Sequence, residues 1–159
     1  MGRSHTFHDR EFGRGDFDPE DHGTFEQGLV FVVMPFHGEG MDEAFSAIKD
    51  ECTKLRLNAK RADENIGSGF ILKEITENIE NAEFIVVDLT YERPNVYYEL
   101  GYAHGVGNEG LDILLIAKEG TSIHFDITPM RIYFYESTEN LRSIIYTGLR
   151  AMIKATRNI

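Results

Sequence analysis

Two apolar runs constrain the fold of this chain most strongly. Residues 29–36, LVFVVMPF, and residues 84–89, FIVVDL, are apolar without the alternation of a strand that has one face in water. Both runs are therefore predicted to be strands that are covered on both faces. Such strands are typical of parallel sheets, because the crossover connections between parallel strands place helices on the two faces.

The remaining segments supply helices and further strands in alternation. Three segments have apolar residues in steps of three and four, which predicts amphipathic helices at 41–55, 71–82 and 141–153, and a fourth helix is predicted from Asn95 to about Gly107. A weaker strand is predicted at 56–63, followed by a loop at 64–69, and two further strands are predicted at 111–118 and 131–136. We therefore predict a flavodoxin-like (Rossmann-like) α/β domain with five parallel strands in the order 2-1-3-4-5 and helices on both faces.

Length and composition limit the organisation of the chain and its partners. The 159 residues fit one domain at 28–159, preceded by a Gly-, Asp- and His-rich segment, residues 1–27, which we interpret as an extended arm or linker. A net charge of -11 argues against nucleic-acid polymers and anionic membrane surfaces as main partners. The single cysteine, Cys52, excludes an internal disulfide, and no apolar run reaches the length of a membrane span. A cytoplasmic protein is expected.

The predicted strand order also predicts where a ligand binds. Ligands of such sheets lie beyond the carboxyl ends of the strands, at the point where strand order reverses, which here is between strands 1 and 3. The loop after strand 1 has two glycines, which let backbone N–H groups approach a phosphate, although loop flexibility explains them equally well. Two further charged residues follow strand 2 at the same edge, and the arginine could bind a phosphate or only its neighbouring aspartate. The candidate substrate-binding residues of these two loops are Met34, Pro35, Phe36, His37, Gly38, Arg61 and Asp63.

A glutamate stands one turn into the helix that follows strand 3. Near a helix N-terminus the Glu99 carboxylate is expected to stay ionised, and in a cleft it can attack a sugar carbon or stabilise an oxocarbenium-like transition state. Asn95 and Tyr102 share its helical face and could orient it, while Tyr98 and Tyr102 could form the wall of a pocket for a flat base. The ordinary alternatives are an acid that favours the helix dipole, a helix cap at Asn95, and tyrosines that only pack.

The segment NAEFIVVDLTYERPNVYYELGYAHG, residues 81–105, resembles the signature of the nucleoside 2-deoxyribosyltransferase-like proteins. These proteins are relatives of the nucleotide N-glycosidases and, more distantly, of TIR domains. Similar features are FVVMPF in the first strand, KRAD before the second helix and HFDITPMRIYFYE near the end, so the resemblance covers roughly residues 29–155.

This resemblance implies roles for three acidic residues. It implies that Glu99 is the nucleophile at the anomeric carbon, or the carboxylate that stabilises the ribosyl cation. It places a second acid on the helix before strand 3, where Glu74 and Glu77 are the candidates, and it makes Asp88 a candidate for binding ribose hydroxyls. Relatives often complete the pocket from a neighbouring subunit, so a homo-oligomer is expected.

Three functions are compatible with these features. The first is cleavage or transfer of the N-glycosidic bond of a small nucleoside, nucleotide or NAD-type substrate, with no cofactor; water as acceptor gives a hydrolase and a second base gives a transferase. The second is a TIR-like sensor or oligomerising module, for instance in defence signalling, that binds a nucleotide without turning it over. Flavin binding is less favoured, because strand 1 is not followed by a Ser/Thr-rich loop and the chain has no tryptophan. No metal site is expected, because His5 and His8 have no cysteine or acid pattern to complete one.

Overall fold

The computed structural model describes residues 25–62, 68–108, 112–123 and 130–157. Its strands are β1 (Glu26–Val33), β2 (Asn58–Lys60), β3 (Ala82–Asp88), β4 (Ile113–Lys118) and β5 (Ile132–Tyr135). Its helices are α1 (Met41–Lys54), α2 (Ser68–Asn81), α3 (Pro94–Gly105) and α4 (Thr138–Arg157). The five strands form one sheet in the order β2-β1-β3-β4-β5, and every neighbouring pair is parallel. The predicted fold class and strand order are confirmed.

The sheet is covered on both faces, as its apolar strands require. On one face the even-numbered β1 side chains, such as Val30 and Val32, pack with α1 and with the apolar stripe of α4. On the other face Phe31 and Val33 pack with α2 and α3. All seven residues of β3 are buried, which explains why this central strand shows no alternation in the sequence.

Several predicted boundaries shift by a few residues. β1 ends at Val33 rather than at residue 36, since Pro35 has no N–H to continue the ladder, and it begins at Glu26, before the predicted domain boundary at residue 28. β2 has three residues rather than eight, and Ala82 begins β3 instead of ending α2. The arm up to residue 24 lies outside the described residues. None of the helices in the described ranges is long and apolar enough to cross a membrane.

Candidate functional site

The site lies at the carboxyl edge of the sheet, where β1 and β3 run side by side and their outgoing loops diverge. The pairing of β1 with β3 ends at Val33 and Val87. From there the chain of β1 enters the segment 34–40 before α1, while the chain of β3 passes through a 3-10 turn, Thr90–Glu92, into α3. We call residues 36–40 the β1 loop.

Glu99 occupies a core position of α3. The buried residues of this helix are Val96, Glu99, Leu100 and Ala103, which have the spacing of the stripe that an amphipathic helix turns to its core. Glu99 is only 7% exposed, and the other three residues on this stripe are apolar. A carboxyl group therefore stands where packing alone would favour an aliphatic side chain.

Burial raises the pKa of Glu99 from its ordinary 4.5 to about 7, and a hydrogen bond from Asn95 lowers it in part. No charged neighbour in the described ranges contributes to this shift. The sequence predicts a Glu99 that stays ionised, whereas a pKa of about 7 leaves it partly protonated at neutral pH. The helix dipole acts within the first turn, whereas Glu99 is the sixth residue of α3, so desolvation of the carboxylate dominates.

Asn95 lies inside the helix and binds Glu99. Arg93 is the N-cap residue of α3 and Pro94 is its first residue, so the interpretation of Asn95 as a cap is wrong. The Asn95 side chain instead hydrogen-bonds to the Glu99 carboxylate one turn further on, which is the contact that their shared face predicts. This interaction favours the ionised form of the Glu99 carboxylate.

The tyrosines of α3 have separate surroundings. The Tyr102 hydroxyl donates to Glu80 Oε1 on α2 at 2.5 Å and so joins the two helices. The Tyr97 hydroxyl donates to Glu92 Oε1 at 2.9 Å, while Tyr98 is 54% exposed. Tyr102 thus has a structural hydrogen bond, and Tyr98 is the more accessible of the two residues that we predict to form the wall of a base pocket.

The two candidates for the second acid differ in their surroundings. Glu74 is partly buried, and its Oε2 atom is buried without a hydrogen-bond partner among the described residues. Glu77 is exposed and lies 3.8 Å from Lys73 Nζ. A buried carboxylate oxygen without a partner is costly, whereas an exposed i,i+4 pair is ordinary, so the geometry favours Glu74.

Asp88 is fully buried at the end of β3. Its Oδ1 atom accepts hydrogen bonds from the Thr90 backbone N–H at 2.9 Å and from Thr90 Oγ1 at 2.5 Å, and its Oδ2 atom accepts from the Tyr135 hydroxyl at 2.9 Å. Burial raises the pKa of Asp88, although these hydrogen bonds oppose the shift. Both oxygens are used inside the protein, so the geometry favours an anchor for the Thr90–Glu92 turn over a ligand for ribose hydroxyls.

The predicted binding residues of the first two loops lie at several depths. Met34 and Pro35 are buried, Phe36 is half-buried, and His37 and Gly38 are exposed. The Arg61 guanidinium lies over the Phe45 ring at 4.5 Å and donates from Nη2 to Asp42 Oδ1 at 3.0 Å. Asp63 lies outside the described residues.

Sequence reasoning missed Tyr91. Its ring lies against Gly38, and its hydroxyl donates to the Glu39 carbonyl oxygen at 2.9 Å, so it connects the turn after β3 with the β1 loop. Tyr91 and Glu92 have left-handed backbone conformations, with φ of 67° and 46°. The sequence carries no signal for this, because the left-handed region is favoured by Gly, Asn and Asp rather than by Tyr and Glu.

No group of three or more His, Cys, Asp or Glu side chains in the described ranges is placed to hold a metal ion. Cys52 is fully buried on α1, and its burial raises the pKa of the thiol to about 12.

Solved structures that are similar to this chain include a deoxyribosyltransferase and a decarboxylase. The 2-deoxyribosyltransferase of Bacillus psychrosaccharolyticus has a TM-score of 0.56 and 18% sequence identity, over 72% of this chain and 90% of that one. The fold is similar to that of a 2-deoxyribosyltransferase. The constitutive lysine decarboxylase of E. coli has a TM-score of 0.55 and 12% identity, over 83% of this chain and 18% of that one, so this chain spans less than a fifth of it. No protein-family model and no curated protein matches the chain.

Proposed function

We propose that the protein cleaves or transfers the N-glycosidic bond of a small nucleoside, nucleotide or NAD-type substrate, and that Glu99 acts at C1′ of the sugar. The observation that carries the proposal is the burial of Glu99 on the core stripe of α3, with its pKa raised to about 7. Packing gives no reason for a carboxyl group there, and ionisable groups with perturbed pKa values cluster at functional sites.

In the proposed first step, an oxygen of the Glu99 carboxylate forms a bond to C1′ while the bond from C1′ to the base nitrogen breaks. The bonding electron pair leaves with the base. The glycosyl ester of Glu99 is then attacked at C1′ by water, which loses a proton and gives a free sugar, or by the nitrogen of a second base, which gives a new nucleoside. The carboxylate leaves in either case, so Glu99 is regenerated.

The departing base determines what else the site must supply. An uncharged nucleoside base needs a proton on its nitrogen as it leaves, and we propose Glu74 as the acid that supplies it, because one of its oxygens is buried without a partner among the described residues. A nicotinamide ring already carries a positive charge and leaves as a neutral molecule without this proton.

The fold comparison supports the same class of substrate. The solved structure that this chain resembles over 90% of its length is described as a 2-deoxyribosyltransferase suited to the synthesis of nucleosides. That fold is combined here with a buried glutamate in the helix after β3. This combination favours a substrate with an N-glycosidic bond over the other kinds of ligand that flavodoxin-like sheets bind.

Arg61 is our candidate for the residue that binds a substrate phosphate. It follows β2 at the same sheet edge, and the Phe45 ring orients its guanidinium. Its partner Asp42 is highly exposed, so their ion pair is worth less than about 1 kcal/mol and a phosphate dianion can replace it.

Base release tests the proposal. The protein is incubated with deoxynucleosides, nucleoside monophosphates, NAD and NADP, with and without a second free base, and the products are separated by chromatography. We expect a free base from at least one class, and a new nucleoside with the second base if the protein is a transferase. Binding of a nucleotide without release of base from any substrate would overturn the proposal and favour a nucleotide sensor.

A further inference from the structure

The two loops of the candidate site are joined by a contact that we call the clasp, formed by Tyr91, Gly38 and Glu39. The Tyr91 ring covers Gly38 so closely that a Cβ atom on Gly38 would collide with it. The Tyr91 hydroxyl donates to the Glu39 carbonyl oxygen at 2.9 Å. The ring is 43% exposed, so the clasp lies at the surface of the site rather than in the core.

The turn that presents Tyr91 is held in a disfavoured conformation from both sides. Tyr91 and Glu92 have left-handed φ values, which are unfavourable for residues with a Cβ atom. Thr90 is fixed to the buried carboxyl of Asp88, and the Glu92 carboxylate accepts a hydrogen bond from Tyr97 on α3. The turn is therefore rigidly anchored to β3 and to the helix that carries Glu99.

The β1 loop is joined to α1 at its end and contains two glycines. The backbone hydrogen bonds from Met41 to Gly38 at 3.2 Å and from Ala44 to Gly40 at 2.9 Å tie its end to α1. Gly38 and Gly40 have φ of 139° and 84°, and glycine adopts these conformations without a steric penalty. Glycine also gives a chain more conformational freedom than other residues do, and a contact from outside the loop restricts that freedom.

We propose that Tyr91 is a positioning residue, which fixes the β1 loop in the conformation that binds the substrate of the Glu99 site. This inference rests on the proposed function. An exposed aromatic ring with a strained backbone adds little to the core, but its contacts join the β1 loop to the turn that is anchored to β3 and α3. Strained residues of this kind persist where the surrounding structure enforces them, and they cluster at ligand-binding sites.

Loss of the clasp is expected to affect substrate binding but not the chemical step. Without the clasp, only a fraction of the molecules has the β1 loop in the binding conformation, and the apparent affinity falls by that fraction. Once the substrate is bound, Glu99 is in place, because it stands on α3 and not on the loop. Loss of the clasp is therefore expected to raise KM and to leave kcat nearly unchanged.

The most informative variant is Tyr91→Gly, which removes the ring and also relieves the backbone strain at position 91. We expect KM to rise about fivefold or more with kcat within about twofold, while the melting temperature stays equal or rises. Tyr91→Phe keeps the ring over Gly38 and loses only the hydroxyl, so its KM is expected to stay within about threefold of the wild type. A residue that served stability alone would show the opposite pattern, with a lower melting temperature and an unchanged KM.

Gly38→Ala tests the same contact from the other loop. Its methyl group would displace the Tyr91 ring and would also strain the backbone at φ of 139°, so KM is expected to rise at least as much as in Tyr91→Gly. The double variant is expected to be no worse than the more impaired single variant, because both changes break one contact. Additive effects of the two changes on KM would contradict the clasp.

Hydrogen exchange of the backbone amides in residues 36–40 tests the clasp without any substrate. We expect faster exchange there in Tyr91→Gly than in the wild type or in Tyr91→Phe. Unchanged exchange would overturn the clasp, and faster exchange with an unchanged KM would overturn the positioning role. If the wild type releases no base, the proposed function fails separately, and the exchange experiment still decides whether Tyr91 orders the loop.

Discussion

The side chain of Asn95 hydrogen-bonds to the carboxylate of Glu99 one turn further along α3. The two residues share a helical face but differ in burial: Asn95 is exposed, whereas Glu99 lies on the buried stripe. The bond favours the ionised form of Glu99, and burial favours the protonated form more strongly. The net effect is a pKa of Glu99 near 7.

Glu99→Gln is expected to stabilise the fold at alkaline pH. Between the ordinary pKa of 4.5 and the folded value of about 7, the folded state binds more protons than the unfolded state, so stability falls as the pH rises through this window. Above it, the ionised Glu99 costs at most about 3 kcal/mol, a cost that glutamine does not have. Urea unfolding at pH 5 and pH 8 should therefore show a stabilised variant at pH 8 and nearly equal stabilities at pH 5.

Glu77→Gln is the matched control for this experiment. Glu77 is an exposed glutamate that forms a surface ion pair with Lys73, so its replacement is expected to change stability by less than about 0.5 kcal/mol at both pH values. Equal stabilities of the wild type and Glu99→Gln at pH 8 would contradict the burial of an ionisable Glu99.

Asn95→Ala is expected to shift the pH dependence of activity. If the Glu99 carboxylate is the nucleophile, kcat/KM rises with pH through the pKa of the free enzyme, near 7. Removal of a hydrogen bond to the charged form raises this pKa, so the rising limb should move to higher pH by up to about one unit. A limb that falls through pH 7 in the wild type would instead indicate that the protonated form of Glu99 is active.

The fold could be predicted from the sequence because burial leaves a pattern. The continuous apolar runs at β1 and β3 and the helical stripes of α1, α2 and α4 follow from which faces are covered, and they determine the strand order through the crossover rules. The ends of the strands were less predictable than their order. For example, β2 has only three residues, because its length depends on where its neighbour β1 offers hydrogen-bond partners.

The positions of the candidate residues in the fold were more predictable than their electrostatics. The position of Glu99 follows from the strand order and the motif, whereas its pKa depends on how deeply α3 packs on the sheet, which no spacing shows. The same holds for Asp88, whose partner Tyr135 is 47 positions away, and for Tyr91, whose left-handed turn is enforced by tertiary contacts.

Asp88→Ala and Asp88→Asn are expected to differ in stability. Alanine leaves two donors of Thr90 and the Tyr135 hydroxyl without their buried acceptor, which should cost about 2–4 kcal/mol. Asparagine keeps an acceptor for Thr90 and an amide group for the Tyr135 oxygen, so its cost should be about 1 kcal/mol. Urea unfolding measures both. If Asp88 instead binds ribose hydroxyls, Asp88→Asn would lose substrate affinity without loss of stability.

The ion pair of Glu83 with Arg157 is expected to stabilise the edge of the sheet opposite the site. Glu83 is buried near the start of β3; it accepts hydrogen bonds from Arg157 Nε at 2.8 Å, from Nη2 at 2.5 Å and from the Gly28 N–H at 2.8 Å. Burial alone would raise the pKa of Glu83, but the hydrogen bonds and the charge of Arg157 lower it overall. The pair therefore contributes stability above the ordinary pKa of 4.5, and this contribution is lost as the pH falls through the folded value.

Arg157→Ala leaves the Glu83 charge buried without its cation and should cost about 3 kcal/mol at pH 7, with a smaller cost at acidic pH. The double variant Glu83→Gln/Arg157→Ala removes the charge and is expected to be more stable than Arg157→Ala alone. Base release should be unchanged in every folded variant, since the pair lies at the other end of the strands. If the double variant were less stable than Arg157→Ala, the buried charge of Glu83 could not be the cause of the stability lost in Arg157→Ala.

The most direct test of the account compares base release by Glu99→Gln with that by the wild type and by Glu77→Gln. The substrate is the one that reacts fastest in the panel. Substrate binding is measured on the same samples by calorimetry. The account predicts that Glu99→Gln folds and binds the substrate but releases no detectable base, while Glu77→Gln releases base at the wild-type rate. Undiminished base release by Glu99→Gln would contradict the role of Glu99 at C1′.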